Sequence, residues 1–194
     1  GGRPRPPVIS VVVGTSGWSE ERQRALRPLL EASPEAGVII VPNFSLGSVL
    51  ATHFATIAAR YYESIEIVEA HHAAKVDSPS GTAVSTAELI GHARADIGPV
   101  LAPHIDQSAR GQQVASVPIH SLRLQGVAAR QSVHFGGDGE VLTLSHETLG
   151  TSAYEAGMLL ALRAAATSTG LIVGLDRLID LASTVSGGDI DDDA

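Results

Sequence analysis

One stretch near the start of the chain decides the class of fold: Val8–Val13, which reads Val-Ile-Ser-Val-Val-Val. A continuous run of mostly β-branched residues is typical of a strand buried in a parallel sheet. The turn Gly14–Trp18 follows it, and Ser19 is then a good N-cap for a helix that begins with two acidic residues. A second apolar run, Val38–Val41, comes after that helix. The order strand, helix, strand predicts a βαβ unit.

Further along the chain, the hydrophobic period changes from helical spacing to a period of two at Val114. We predict the following later elements: a helix over Leu46–Tyr62, a strand over Ile65–Glu69, a helix over Thr82–Arg94 with Ala83, Ala87, Leu89 and Ile90 toward the core, a loop over Gly98–Gln113, a three-stranded antiparallel meander of Val117–Leu124, Ala128–Phe135 and Glu140–His146, a helix over Ser152–Ala166, and a short segment over Leu171–Leu181. The chain thus opens with α/β character and continues as α+β, which predicts two lobes.

Composition excludes several classes of function. The 194 residues are 44% apolar, which is enough for a packed core, and a net charge of −8 argues against a nucleic-acid groove lined by clustered basic residues. The absence of cysteine excludes disulfides and thiolate metal sites. No stretch approaches the roughly 20 apolar residues that cross a bilayer, and no signal peptide is visible, so we expect an intracellular, cytoplasmic protein.

The densest group of chemically active side chains lies in His71–Ala83, which reads His-His-Ala-Ala-Lys-Val-Asp-Ser-Pro-Ser-Gly-Thr-Ala. Its second half opens a helix, whose first N–H groups bind anions. The two histidines and Lys75 allow three interpretations: a metal site completed by another histidine, a solvated loop without a role, or an acid/base pair beside an anion site. We favour the third, because histidine titrates near neutral pH and a lysine near other cations is a competent acid. A carboxylate-bearing substrate is therefore expected.

Two loops follow predicted parallel strands, at the ends where ligands bind in such sheets. They are Gly14–Gly17 and Val41–Phe44. Each taken alone is more simply an ordinary turn, and neither has the Gly-x-Gly-x-x-Gly spacing of a dinucleotide fingerprint. By chemistry alone, further candidates as carboxylate clamps are Arg110, Arg123 and Arg130. We expect Glu140 and His146 to be structural or exposed.

Five groups of matching residues carry a family resemblance: Val13–Trp18, Pro42–Gly47, Glu69–Ala83, Phe135–Glu140 with Leu142–His146, and Gly170–Leu175. In this order they resemble the 4-hydroxy-tetrahydrodipicolinate (dihydrodipicolinate) reductase family, and they cover nearly the whole chain. The resemblance implies reduction of a small cyclic dicarboxylate by NADPH or NADH to tetrahydrodipicolinate, in lysine and diaminopimelate biosynthesis.

The resemblance also implies a fold and an assembly. Residues 1–45 and 170–194 would be the remnant of a Rossmann-like parallel sheet, as a partial dinucleotide-binding domain. Residues 46–169 would be a mixed or antiparallel sheet with flanking helices that binds substrate, carries the catalytic residues and forms oligomers. A homotetramer without metal, membrane or nucleic-acid partners is expected.

Roles for individual residues follow from the same resemblance. His71 would be the proton donor and Lys75 a second donor. The residues that would hold the substrate carboxylates are His72, Ser80, Gly81 and Thr82. The residues that would lie along the nicotinamide end of the cofactor are Gly14, Thr15, Ser16, Val41, Pro42, Asn43 and Phe44.

Two departures from the family pattern leave alternatives open. The glycine-rich segment that binds the cofactor pyrophosphate belongs before the point where this chain starts, and Thr151 stands where the family usually has an arginine. One alternative is a truncated, non-catalytic homologue that binds a dicarboxylate but not the dinucleotide. Another is an oligomerisation scaffold that uses an apolar face of the antiparallel sheet.

Overall fold

The computed structural model describes residues 9–15, 17–179 and 181, within two compact units. One unit combines the start of the chain, up to Pro42, with its end, from Met158; the other is Asn43–Gly157. In chain order the elements are β1 (Val11–Val13), α1 (Glu20–Glu31), β2 (Gly37–Ile40), α2 (Leu46–Ala58), β3 (Ser64–His72), α3 (Gly81–Ala93), β4 (Gln112–Val114), β5 (Val117–Leu124), β6 (Ala129–Gly137), β7 (Glu140–Thr148), α4 (Glu155–Ala165) and β8 (Gly170–Val173), with short 3-10 turns at Ser108–Arg110, Thr151–Tyr154 and Leu175–Leu178. No helix in the described ranges has the length and apolar character needed to cross a membrane.

The first unit contains a parallel sheet in the order β1-β2-β8. The predicted βαβ unit is present, and the Ser19 hydroxyl accepts a hydrogen bond from the backbone N–H of Arg22 at 3.3 Å, as an N-cap does. The expectation of a buried first strand is wrong, because β1 pairs only with β2 in the described residues and Val11 is 44% exposed. Val8 lies outside the described residues. The central strand β2 is the buried one.

The second unit is built on a five-stranded mixed sheet in the order β4-β5-β3-β6-β7. The predicted meander is wrong, because β3 lies between β5 and β6, parallel to β5 and antiparallel to β6. Only residues 125–128 connect β5 to β6, which suggested a hairpin. Four residues can nevertheless reach about 13 Å, and two strand spacings amount to about 10 Å. The connection therefore passes over the end of β3. The fold class, a parallel sheet plus a mixed sheet with flanking helices, is the predicted one.

Helices α2 and α3 cover one face of the mixed sheet. Buried residues of this core are Ala55, Ala59, Ile65, Ile67, Ala83, Ala87, Ile90, Val100, Val117, Ile119, Val133 and Phe135. Alanines on both helices allow a close approach to the sheet. The expectation for Leu89 is wrong: it is 46% exposed, because the buried positions of α3 are Ala83, Thr86, Ala87 and Ile90.

A buried arginine ties the far ends of these helices together. Arg94 follows α3, is 6% exposed, and donates hydrogen bonds to the carbonyl oxygens of Ala59, Tyr62, Gly98 and Pro99. Carbonyl oxygens at the end of a helix have no N–H donor within the helix. The guanidinium supplies donors to α2 and to the loop after α3 at once.

Candidate active site

The two neighbouring histidines are the last residues of β3, which extends three residues beyond its predicted end. Successive strand residues point to opposite faces of a sheet. His71 therefore shares the helix-covered face with Glu69, and its side chain is 17% exposed. His72 is exposed and belongs to the opposite face. The structure thus separates two residues that adjacency in the sequence had grouped.

Glu69 lies fully buried beneath His71 and accepts hydrogen bonds from neighbouring groups. Its Oε2 atom accepts a hydrogen bond from Nδ1 of His71 at 2.6 Å, and its Oε1 atom accepts one from the backbone N–H of Ser80 at 3.3 Å. The guanidinium of Arg123 approaches both carboxylate oxygens at 3.0 Å. One carboxylate therefore joins β3, β5 and the start of α3.

The charge state of Glu69 determines which nitrogen of His71 carries hydrogen. Burial by itself would raise the pKa of Glu69, but hydrogen bonds from Arg123, Ser121 and His71 outweigh burial and bring this pKa below its usual value. The ionised carboxylate only accepts hydrogen bonds, so Nδ1 of His71 is the donor. The Nε2 atom is left as the nitrogen that can give or take a proton.

Lys75 and Asp77 form the turn between β3 and α3. The Nζ atom of Lys75 lies 2.7 Å from Oδ1 of Asp77, and the Lys75 side chain is 20% exposed. The hydrogen bond from Lys75 lowers the pKa of the Asp77 carboxyl. Arg123 donates to the backbone carbonyl oxygen of Asp77 at 2.6 Å, which anchors this turn to β5.

The start of α3 presents backbone N–H groups beside these side chains. Ser80 is 2% exposed and caps the helix, since its hydroxyl accepts from the N–H of Ala83 at 3.2 Å. The N–H groups of Gly81 and Thr82 are among those that a helix leaves without an internal acceptor. A Cβ atom added to Gly81 would meet nothing within 4 Å, so the space at this helix start is open. The second unit thus combines an imidazole, an ammonium and a helix start whose first N–H groups have no acceptor within the helix.

The loops predicted to hold the cofactor are divided between the two units. Gly14 and Thr15 follow β1, and Val41 and Pro42 follow β2, so both pairs lie at the same edge of the parallel sheet. Ser16 lies outside the described residues. The hydroxyl of Thr15 accepts a hydrogen bond from the indole N–H of Trp18 at 3.3 Å.

Asn43 and Phe44 come next and belong to the second unit. The side chain of Asn43 accepts from the N–H of Ser45 and donates to the hydroxyl of Ser48, both at 2.9 Å. The amide of Asn43 therefore shapes the turn before α2.

His146 supports the same turn from β7, through a contact for which the sequence holds no pattern. Its Nε2 atom lies 3.1 Å from the hydroxyl of Ser45, which caps α2. A Cβ atom on Gly47 would lie 2.7 Å from Cδ2 of His146, so glycine leaves the space that the ring fills. Burial lowers the pKa of His146.

A second arrangement of glutamate, histidine and arginine occurs on the other face of the mixed sheet. Glu66 contacts Arg110 at 2.5 Å and Nε2 of His120 at 2.7 Å. Of the three arginines considered as substrate clamps, Arg110 and Arg123 thus bind carboxylates of the protein itself. In the ranges 9–15, 17–179 and 181, no group of three or more histidine and acidic side chains could hold a metal ion.

The chain belongs to the dihydrodipicolinate reductase family, as the resemblance had predicted. The family described as "Dihydrodipicolinate reductase, C-terminus" matches residues 47–179. A 4-hydroxy-tetrahydrodipicolinate reductase from Clavibacter sepedonicus is 66% identical over 173 residues, which cover 89% of this chain and 62% of that protein. A protein of the same name from Streptomyces griseus is 49% identical over 177 residues, which cover 89% of this chain and 71% of its own length.

Solved structures include a similar fold. The dipicolinate-bound dihydrodipicolinate reductase from Paenisporosarcina sp. TG-14 matches with a TM-score of 0.75 and 34% identity, over 88% of this chain and 65% of the other. The chain thus spans about 62% of the length of its Clavibacter relative.

Proposed function

We propose that this chain is the substrate-binding and proton-donating part, with a portion of the cofactor-binding domain, of a 4-hydroxy-tetrahydrodipicolinate reductase that uses NADPH or NADH. The product would be tetrahydrodipicolinate, in lysine and diaminopimelate biosynthesis in the cytoplasm. One observation carries the proposal: Nδ1 of His71 is bound to a buried carboxylate, so Nε2 is the ring nitrogen that can give or take a proton. This ring lies beside a helix start with open space around Gly81. The names and identities of the relatives support it.

The proposed proton chemistry uses His71 and Lys75. The 4-hydroxyl group would leave as water and give a conjugated ring. The nicotinamide cofactor would supply hydride to that ring, and the negative charge that results must be neutralised by a proton. Protonated His71 gives the proton on Nε2 and returns to the neutral form with hydrogen on Nδ1. The Glu69 carboxylate accepts a hydrogen bond from this Nδ1–H group. The ammonium of Lys75 is the second donor and stabilises the charge that develops on the ring.

The proposed substrate contacts use the start of α3. Two carboxylates on a planar ring need fixed hydrogen-bond donors, and the N–H groups of Gly81 and Thr82 supply them without loss of side-chain freedom. Ser80 holds the helix start in place through its cap. His72 belongs to the opposite sheet face, so it would have to reach a substrate carboxylate around the exposed end of β3. A ring held at both carboxylates has one orientation toward the proton donors.

The residues present fit only one end of a dinucleotide. Gly14, Thr15, Val41 and Pro42 lie at the strand edge where parallel sheets bind nucleotides, and they would contact the nicotinamide end together with Ser16, Asn43 and Phe44. The Gly-x-Gly-x-x-Gly turn that holds a pyrophosphate is absent from this sequence after either strand. The alternative function is that of a homologue that binds a dicarboxylate but not the dinucleotide.

Calorimetric titration of the whole chain tests both functions. We expect pyridine-2,6-dicarboxylate to bind, and we expect Lys75→Ala to weaken its binding. His134 is half-buried on the opposite face of the mixed sheet, so His134→Gln serves as a control and should bind as the unmodified chain does. Binding of NADPH or NADH in addition to the dicarboxylate would contradict the non-catalytic homologue. If the unmodified chain binds no dicarboxylate, the proposed function is wrong.

We also propose that the chain forms a homo-oligomer, a tetramer by family resemblance, through the sheet face opposite the helices. Leu122, Leu124 and Val141 are 40%, 46% and 71% exposed on that face. Light scattering on the purified chain measures the assembly, and a monomer at all concentrations would contradict it.

A further inference from the structure

The proposed proton donors share one buried support, the ion pair of Glu69 and Arg123. The Glu69 side chain is 0% exposed and the Arg123 side chain 19% exposed. We propose that this pair positions both donors: Glu69 orients the ring of His71, and Arg123 holds the turn that carries Lys75. The inference deepens the proposed function and rests on it for the roles of His71 and Lys75, while the geometry of the support stands by itself.

Glu69 fixes the first donor relative to the helix start. Its Oε2 atom binds Nδ1 of His71 at 2.6 Å, and its Oε1 atom binds the N–H of Ser80 at 3.3 Å. The same rigid carboxylate therefore sets the ring orientation and the place of the helix cap. A ring held through Nδ1 presents Nε2 in one direction, which is what a positioned acid requires.

Arg123 fixes the second donor through the turn. Its Nη2 atom donates to the carbonyl oxygen of Asp77 at 2.6 Å, and the carboxylate of Asp77 binds the ammonium of Lys75 at 2.7 Å. The contacts form a continuous path from Glu69 through Arg123 and Asp77 to Lys75. A planar guanidinium can serve both Glu69 and the Asp77 carbonyl, whereas a single ammonium cannot match that fork.

The chain contains its own matched control on the same strand. Glu66 also lies between a histidine and an arginine, with Nε2 of His120 at 2.7 Å and Arg110 at 2.5 Å. Glu66 lies five residues before His71 on β3, and residues an odd number apart on a strand face opposite sides, so the sheet separates Glu66 from His71. Removing its charge perturbs a similar trio without touching the proposed site.

The test compares Glu69→Gln with Glu66→Gln by ¹⁵N NMR of histidine-labelled protein, in which ring nitrogens report the tautomer. His71→Gln identifies the signals of His71. We expect hydrogen on Nδ1 of His71 in the unmodified chain and in Glu66→Gln, and a mixture of tautomers in Glu69→Gln. We also expect Glu69→Gln to bind pyridine-2,6-dicarboxylate about ten-fold more weakly, because the Glu69 carboxylate also holds the backbone N–H of Ser80 at the helix start.

A single Nδ1-protonated tautomer of His71 in folded Glu69→Gln overturns the role of Glu69. Failure of the unmodified chain to bind dicarboxylate refutes the proposed function instead, because the tautomer comparison needs no ligand. Arg123→Lys tests the role of Arg123 and keeps the positive charge. It also keeps the proposal testable if Glu69→Gln does not fold. The backbone N–H of Lys75 donates to the carbonyl oxygen of His72 at 3.0 Å. We expect this amide hydrogen to exchange at least about ten-fold faster in Arg123→Lys, and unchanged exchange overturns the role of Arg123.

Discussion

Replacement of Gly47 by alanine tests whether His146 supports the turn before α2. Gly47 is the second residue of α2, and an added Cβ would lie 2.7 Å from Cδ2 and 3.0 Å from Nε2 of His146. Such distances are too short for nonbonded carbon and nitrogen, so the ring must move. Movement of the ring breaks its hydrogen bond with the hydroxyl of Ser45.

The expected change in the free energy of unfolding has three contributions, two that destabilise the folded state and one that stabilises it. Overpacking costs about 1–3 kcal/mol and the lost hydrogen bond about 1 kcal/mol. Alanine gains about 0.5–1 kcal/mol over glycine in a helix. Gly47→Ala should therefore lower the free energy of unfolding by about 1–3 kcal/mol. With a slope of roughly 2 kcal/mol per molar, the urea midpoint followed by far-ultraviolet circular dichroism should fall by roughly 1 M.

Two comparisons make this prediction specific. Gly81 is the first residue of α3 and a Cβ there meets nothing within 4 Å, so Gly81→Ala should leave the free energy of unfolding unchanged or slightly higher. In a His146→Ala background, the cost of Gly47→Ala should disappear because the clashing ring is gone. The reasoning is refuted if Gly47→Ala is as stable as Gly81→Ala, or if its cost persists without His146.

Three further predictions concern other charged groups. Arg94→Met should destabilise the chain by about 3–5 kcal/mol in thermal unfolding, since buried carbonyls without donors cost about 1–3 kcal/mol each, and a loss under about 1 kcal/mol would contradict this. Burial depresses the pKa of His146, so the unfolded state binds more protons than the folded state below about pH 6.5. The free energy of unfolding should therefore fall as the pH drops through that value. The fall should be smaller in His146→Asn. NMR titration should place the pKa of Asp96 at about 2, because the hydrogen bond from Arg60 lowers it. The pKa of Asp96 should be higher in Arg60→Gln. Equal pKa values in the two proteins would contradict the proposed Arg60–Asp96 interaction.

Local pattern predicted the elements of the fold better than their order. The run Val38–Val41, the Ser19 cap and the helix after Ser80 follow from residues within one turn or strand. The place of β3 between β5 and β6 depends on pairing with strands that lie some 50 to 70 residues further along, and a short connection at residues 125–128 gave a misleading local signal.

The site shows the same division between local and distant information. His71, Lys75 and the start of α3 lie within thirteen residues and could be grouped from the sequence. Alternation along a strand could also have paired Glu69 with His71, two residues away on the same face. Arg123 could not be chosen among three arginines, because its role depends on the register that sets it opposite His71. The contact of Ser45 with His146 joins residues 101 apart and left no pattern at all.

The central position of β3 also affects the order in which this protein can fold. Glu69 meets Arg123 across 54 residues of chain, and both sheet neighbours of β3 are synthesised after it. During translation, the strand that ends in His71 must wait for β5 and β6 to leave the ribosome before its backbone groups are paired. Until then it exposes two unpaired edges, a state prone to aggregation. Slow, non-local pairing of this kind should make folding of the second unit rate-limited by closure of β5 and β6 around β3.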